Sequence, residues 1–181
     1  SICLDDLRKY GVSKFSRATC CGKGMHNKCR DSSVLVLKSR LSEKQKNQCV
    51  MCRAEYPESQ KEAVEQLCPW VEKGKAWAQI ILGSRYRDGD GVEQSYQQAK
   101  ELFELAASQG NASAQYNLGI MYQEGQGVDQ SYERAAEFYE AAARQGLAEA
   151  QYTLGNRYYK GKGVEQSIET AREWWMKSAK Q

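Results

Sequence analysis

Six cysteines (Cys3, Cys20, Cys21, Cys29, Cys49 and Cys52) and the only histidine, His26, fall within the first 52 residues of this 181-residue chain, while Cys68 stands apart. His26 and Cys29 are separated by two residues, as are Cys49 and Cys52, and nineteen residues lie between the two short pairs. Such a pattern suits a tetrahedral zinc ion. A two-residue gap lets both donors reach one ion, with sulfur at about 2.3 Å, while a turn aims backbone N–H groups at the sulfurs. A thiolate-rich donor set favours Zn²⁺ among the common ions. The expected metal ligands are therefore Cys3, Cys20, Cys21, His26, Cys29, Cys49 and Cys52.

Three other chemistries use the same residue types. A disulfide framework suits a small secreted domain, but a histidine two residues from a cysteine, beside a Cys-x2-Cys, favours metal. A redox Cys-x2-Cys needs a strand and a helix around Cys49, where the chain has the polar run KSRLSEKQKNQ and the short apolar patch Val50-Met51. Inert buried cysteines are the third reading, and six within 52 largely polar residues are many for that.

The stretch CGKGMHNKC from Cys21 to Cys29, and CVMCRAEYP from Cys49, resemble the RING-type zinc finger. Ile2-Cys3-Leu4-Asp5 is similar to the opening of the same family, whose first cysteine would fall one position before Ser1. The resemblance implies a small cross-braced α/β finger over residues 1–57 with two Zn²⁺ ions. Cys3, His26 and Cys29 would share one ion with the upstream cysteine; Cys21, Cys49 and Cys52 would hold the other. Lys23 stands where the family has a histidine, so adjacent Cys20 is the candidate replacement. The resemblance further implies docking of a ubiquitin-conjugating enzyme at Ile2, Val50 and Arg53. Val50 departs from the usual proline there, whereas Ile2 and Arg53 match. In that family no residue of the finger does covalent chemistry, and no catalytic residue is expected here.

The remainder of the chain is periodic. Gly83, Gly119 and Gly155 are spaced by 36 residues, as are Gly89, Gly125 and Gly161, and Gly91, Gly127 and Gly163. Three consecutive segments, 75–110, 111–146 and 147–181, each predict two helices, and a fixed period of this length means an all-α helical-hairpin solenoid. The first helix, about residues 76 to 88, aligns Ala78, Leu82 and Tyr86 on one stripe; Ala114, Leu118 and Tyr122, then Ala150, Leu154 and Tyr158, repeat it. Glycine in mid-helix costs about 1 kcal/mol against alanine, so its recurrence predicts a backbone packed closely beside it, from the second helix of the same repeat. Each Gly-x-Gly-Val loop should close the first helix and drop Val92, Val128 or Val164 into the core. Ser95, Ser131 and Ser167 are the expected caps of the second helices, which Ala99, Phe103 and Ala106, then Ala135, Tyr139 and Ala142, would bury and Gly110 and Gly146 would end.

These segments resemble Sel-one-like repeats, relatives of the tetratricopeptide repeat, through A-x-A-Q-x-x-L-G-x-x-Y-x-x-G-x-G-V and A-A-x-x-Q-G. The family implies an interaction scaffold without catalysis of its own, and Arg85, Asn117 and Arg157, which vary between repeats on the first helices, are candidates for peptide contacts. Trp174 and Trp175 at the far end either seal the last helix pair or meet a partner or a further repeat.

Between finger and repeats, residues 58–74 read as a linker and capping helix: Pro57 disfavours helix before it, Ser59 is a cap candidate, and Pro69 should kink the segment or restart it as a second helix. Residues 1–62 carry 13 Lys/Arg against 7 Asp/Glu, and the rest 13 against 16, which leaves a net of +3 for the chain. That near-balance gives no basis for nucleic-acid binding. No apolar run approaches the roughly 18 residues of a membrane helix. The chain opens on Ser1 without a methionine, so a leader could have preceded it. Cysteines kept as thiolates imply a reducing compartment, cytoplasmic or nuclear.

These features predict a zinc-binding, modular protein–protein interaction protein, with a RING-type ubiquitin-protein ligase as the alternative. In that alternative the finger recruits the conjugating enzyme and the repeats hold a substrate protein. One histidine leaves no room for a histidine-based triad beside a metal site, and the Gly-x-Gly loops follow helices, whereas a phosphate-cradling loop follows a strand.

Overall fold

A computed structural model describes residues 59–181. The expected zinc ligands, and Ile2, Val50 and Arg53, lie outside the described residues. Seven helices follow in order: α1 Gln60–Glu72, α2 Ala76–Asp88, α3 Tyr96–Ser108, α4 Ala112–Glu124, α5 Tyr132–Arg144, α6 Ala148–Lys160 and α7 Ile168–Ala179. No strand occurs among the described residues. Helix α1 and the loop residues 90–92 belong to one compact unit, and helices α2 to α7 to another.

Within the second unit, α2 packs on α3, α4 on α5 and α6 on α7, and the hairpins join through α3 against α4 and α5 against α6. This is the three-hairpin solenoid the period predicts. The serine caps form in all three repeats: Ser95, Ser131 and Ser167 sit in extended backbone, and their side-chain oxygens accept from the N–H groups of Gln98, Arg134 and Thr170. Each such cap contributes about 1 kcal/mol. The first helices start less uniformly, since Asn111 accepts from the N–H groups of Ser113 and Ala114 while Lys75 and Leu147 at the same register make no side-chain cap. All three first helices end on a left-handed glycine, Gly89, Gly125 or Gly161, at φ 76°, 67° and 63°. A side chain would disfavour that conformation, which explains the residue type.

Two local expectations need correction. Gly83, Gly119 and Gly155 face aromatic rings first: a Cβ would lie 2.8 Å from the Phe103 ring, 2.6 Å from the Tyr139 ring and 2.6 Å from the Trp175 ring, and at Gly155 the Ala171 carbonyl follows at 3.0 Å. The missing methyl is the socket for one aromatic per repeat, so Phe103, Tyr139 and Trp175 recur with the same 36-residue period. Pro69 does not restart the helix, because α1 runs unbroken through it. It stands within the last turn, where its missing N–H removes a single i→i−4 bond.

The core is made of small residues around those rings. Ala99, Phe103, Leu118 and Met121 form one fully buried cluster; Ala135, Tyr139, Ala142, Ala143, Leu147, Ala150 and Leu154 form another. Alanines at the hairpin contacts let the helix axes approach closely, and the aromatics then fill what the alanines leave. The loop valines expected in the core, Val92, Val128 and Val164, are half-buried and lie outside the fully buried set. At the far end Trp175 covers Gly155 and lies 5.7 Å from the Tyr159 ring, while Trp174 packs against the second cluster. Both tryptophans thus serve the last hairpin.

Helix α1 keeps the register of the repeats. Ser59, Ala63, Leu67 and Gly74 stand 36 residues before Ser95, Ala99, Phe103 and Gly110, and Ser59 caps α1 by accepting from the Glu62 N–H at 3.1 Å. Ala63 and Leu67 are buried, and Gly74 is left-handed like Gly110. Residues 59–74 therefore have the form of the second helix of a repeat.

Candidate protein-interaction surface

Three sets of glutamines common to all three repeats are hydrogen-bonded within the array. Gln109, Gln145 and Gln181 each donate an amide N–H to the side-chain oxygen of Gln79, Gln115 and Gln151, at 2.8, 2.7 and 3.1 Å, tying the end of every second helix to the start of its first. Gln151 also donates to the Ala143 carbonyl of the preceding repeat at 3.1 Å. Gln94, Gln130 and Gln166 donate to the carbonyls of Arg87, Gln123 and Tyr159 at 2.7, 2.7 and 2.8 Å, closing the Gly-x-Gly loops. None of these nine glutamines was singled out as a functional or structural position from sequence. The available signal was their identity across repeats, each set recurring at the 36-residue period.

Two of the three candidate peptide-binding residues take part in joints between repeats. Asn117 accepts from Arg87 of the first repeat at 2.7 Å and donates to the Ser113 carbonyl at 2.8 Å. Arg157 donates to the Gln123 side-chain oxygen of the second repeat, and its guanidinium lies 5.7 Å from the Tyr132 ring centre and 5.8 Å from that of Tyr139. Arg85 is half-buried on α2, in the register of Arg157. The array does not bring the three together at one point: Asn117 lies at a different register position from the two arginines.

Tyr139 sits at the centre of the second joint. Its hydroxyl donates to Gln123 at 2.8 Å, and its ring lies 5.4 Å from that of Tyr116. Burial pushes the Tyr139 phenol well above the ordinary tyrosine range, against the pull of the Arg157 charge. Tyr116 in turn has its hydroxyl 3.4 Å from Thr153 in the third repeat.

Among the described residues no group of three or more potential metal-ligating side chains occurs, and Cys68, an exposed free thiol, donates to the Val64 carbonyl at 3.4 Å. No helix among them is long and apolar enough to cross a membrane. What faces solvent is instead a set of positions that change from repeat to repeat. Tyr152, Tyr159, Ile168 and Met176 of the third repeat are about half exposed or more. Beside Ile168 an open depression of about 530 Å³ is lined by Gln166, Ser167, Ile168, Glu169 and Arg172.

This geometry recurs in known structures. The chain is similar to c5321, a protective antigen present in uropathogenic Escherichia coli strains displaying an SLR fold, with 36% identity over 70% of this chain and 27% of that one and a TM-score of 0.66. It is similar to a Sel1 repeat protein from Oxalobacter formigenes, with 31% identity, 66% and 48% of the two chains covered, and a TM-score of 0.65. The chain thus spans under half the length of either. Helicobacter pylori cysteine rich protein B shares the fold alone, at 21% identity over 66% of this chain and 86% of that one, with a TM-score of 0.53. No curated protein sequence matches the chain closely enough to count as a relative. The family described as Sel1 repeat matches residues 78–111, 112–147 and 148–181, more than half of the chain and in step with the three hairpins. With that match, that periodicity, those glutamine bridges and that ring-on-glycine packing, the chain belongs to the Sel1-repeat family.

Proposed function

We propose that this is a zinc-binding, modular protein–protein interaction protein, in which residues 1–57 form a RING-like finger and the Sel1-repeat scaffold presents surfaces to partner proteins. One observation supports the scaffold role most directly. The residues shared by the repeats are engaged within the array, so the solvent-facing positions are free to differ and to recognise something else. Binding energy on such a surface comes from a few aromatic and arginine anchors, and the array exposes tyrosine and isoleucine at its last repeat.

The zinc part rests on the cysteine and histidine spacing. Metal binding would contribute on the order of 10 kcal/mol to folding of the finger. Its thiolate ligands suit a reducing compartment, cytoplasmic or nuclear. Native mass spectrometry of the protein with one cysteine added before Ser1 tests it. Two zinc ions are expected, one of them lost with Cys20→Ser and neither with Lys23→Ala. No zinc in any form would remove the finger from the reading.

The second reading is a RING-type ubiquitin-protein ligase, favoured by Ile2 and Arg53 at the family's docking positions. The finger would recruit a charged ubiquitin-conjugating enzyme and hold its ubiquitin thioester for attack by a lysine, while the repeats hold the substrate. Arg53→Ala should then slow ubiquitin discharge from the conjugating enzyme. A discharge rate equal to wild type rules out that role for Arg53.

A further inference from the structure

Three cations stand at the end of α6 and on the loop after it, where the third hairpin meets the second. The Arg157 guanidinium lies 5.7 Å and the Lys162 ammonium 5.4 Å from the Tyr132 ring centre, and Lys160 is the last residue of α6. Among the described residues none of the three forms an ion pair. The Gln123 side-chain oxygen is the one acceptor Arg157 has among them, and the other end of that amide donates to Glu124. Arg87, at the joint before, is placed differently. It donates to both carboxylate oxygens of Asp88, at 2.8 and 3.1 Å, as well as to Asn117, so its charge is already answered.

At the register of Lys160 and Lys162 the sign of charge reverses along the array. The first repeat has Asp88 and Asp90 there, and the second has Glu124 and Gln126. Exposure is a property of these loops and does not come from the end of the chain, since Asp88, Asp90 and Glu124 are exposed as Lys160 and Lys162 are, with a further hairpin after each. The dipole of α6 offers Arg157 and Lys160, in its last turn, roughly half a negative charge. Most of the three positive charges is left uncompensated.

We propose that Arg157, Lys160 and Lys162 form a recognition site for an acidic segment of a partner protein, two neighbouring Asp or Glu carboxylates taking the guanidinium and the lysines. A guanidinium fork with one acceptor still has donors to offer a carboxylate. Half-buried against the Tyr132 and Tyr139 rings, it is less hydrated than an exposed arginine, and its attraction for a carboxylate is less screened. The surroundings restrict the ligand to a short run of charge. Glu133 follows Tyr132, Glu165 stands three residues beyond Lys162, and Glu124 adjoins Gln123, all exposed. A nucleic-acid backbone, charged at every phosphate, meets repulsion on either side of the three cations. The acidic loops of the first two repeats repel the same partner segment and so direct it to the third. This inference rests on the scaffold reading above and gives it a partner class; the zinc measurement is independent of it.

Selection of random peptides displayed on phage against the full chain tests it. Peptides with two or more Asp or Glu side by side should be enriched, and synthetic copies should bind at least tenfold more weakly to Lys160→Glu/Lys162→Glu. Arg157→Lys, which keeps the charge and loses the planar fork, should weaken them at least threefold. The lysine double variant should prefer copies whose acids are replaced by lysine. Lys100→Glu/Arg144→Glu makes the same change in net charge on α3 and α5 and should alter binding less than twofold, with circular dichroism showing every variant folded at the assay temperature. Enrichment without an acidic bias would overturn the site and leave the scaffold standing, whereas no enrichment at all would overturn both. Equal losses in the two double variants would reduce the effect to overall charge and overturn the site as well. So would an oligouridylate that binds more tightly than any selected peptide, which would assign the cations to nucleic acid.

Discussion

Gly119→Ala pits two effects of opposite sign against each other. Helix propensity favours alanine in mid-helix by about 1 kcal/mol, so a glycine kept only by chance would make the substitution stabilising. Sterics oppose it: the new methyl carbon would stand 2.6 and 2.7 Å from two ring carbons of Tyr139, a residue only 1% exposed. Carbon atoms rest at about 3.5 to 4.0 Å, so the ring must retreat by roughly 1 Å. It has little room to do so, held by the bond to Gln123 at 2.8 Å and by the Tyr116 ring on its flank. Overpacking of this kind costs about 1 to 3 kcal/mol, and stretching the buried hydrogen bond adds about 1. Set against the propensity gain, the net destabilisation should be about 1 to 3 kcal/mol, a fall in Tm of roughly 3 to 10 °C for a chain of this size. Thermal and urea unfolding followed by helical circular dichroism measure it. A Tm equal to or above wild type would refute the claim that the glycine is a socket for the ring, and a double-mutant cycle with Tyr139→Leu should recover part of the loss.

Tyr139 also predicts a pH dependence. Its phenol ionises at ordinary pH values in the unfolded chain, near 10, and at higher pH in the folded one, so the folded state holds the proton longer. Stability from this group is intact below about pH 10 and falls as pH rises beyond it; Tyr139→Phe should flatten that alkaline decline in denaturant titrations, and an unchanged slope would contradict it. Trp175→Phe should be mild, within about 1 kcal/mol of wild type, since the buried indole N–H of Trp175 has no acceptor and removing such a donor recovers part of the lost contact; a loss of 3 kcal/mol or more in urea unfolding would show that the ring's size dominates. Ser131→Ala should cost about 1 kcal/mol through the lost cap of α5, measured the same way.

The helix limits were legible because glycine and serine punctuate them at fixed register. Gly89, Gly125 and Gly161 mark the ends of the first helices, and Ser95, Ser131 and Ser167 the starts of the second. What packs on Gly83, Gly119 and Gly155 was not legible, because a glycine signals that space is short without saying which group occupies it. Phe103, Tyr139 and Trp175 had to be seen across the hairpin. The glutamines were overlooked for a different reason. A polar residue on a helix reads as solvated by default, yet Gln79 and Gln151 are 4% and 5% exposed, satisfied by partners thirty residues away. Asn117 and Arg157 were picked as variable and therefore outward-looking, but variation there accompanies a change in joint: Arg87 with Asn117 in one, Arg157 with Gln123 in the next. The cysteine-rich segment lies outside the described residues, so its ligand set rests on spacing.

The glutamine bridges have a mechanical consequence. Ion pairs such as Lys100–Glu104 and Arg144–Glu140 lie within single helices, whereas the glutamine bonds that clamp the two helices of each hairpin, or close its loop, run between uncharged amides and carbonyls. Amides neither titrate nor attract a counterion cloud, so salt and moderate pH change leave those clamps as they are. The geometry inside each hairpin is therefore a gauge that keeps its setting when the surrounding electrolyte changes, while the joints between hairpins include the charged donors Arg87 and Arg157. A partner held on one hairpin would meet the same surface while its own charged contacts strengthened or weakened around it.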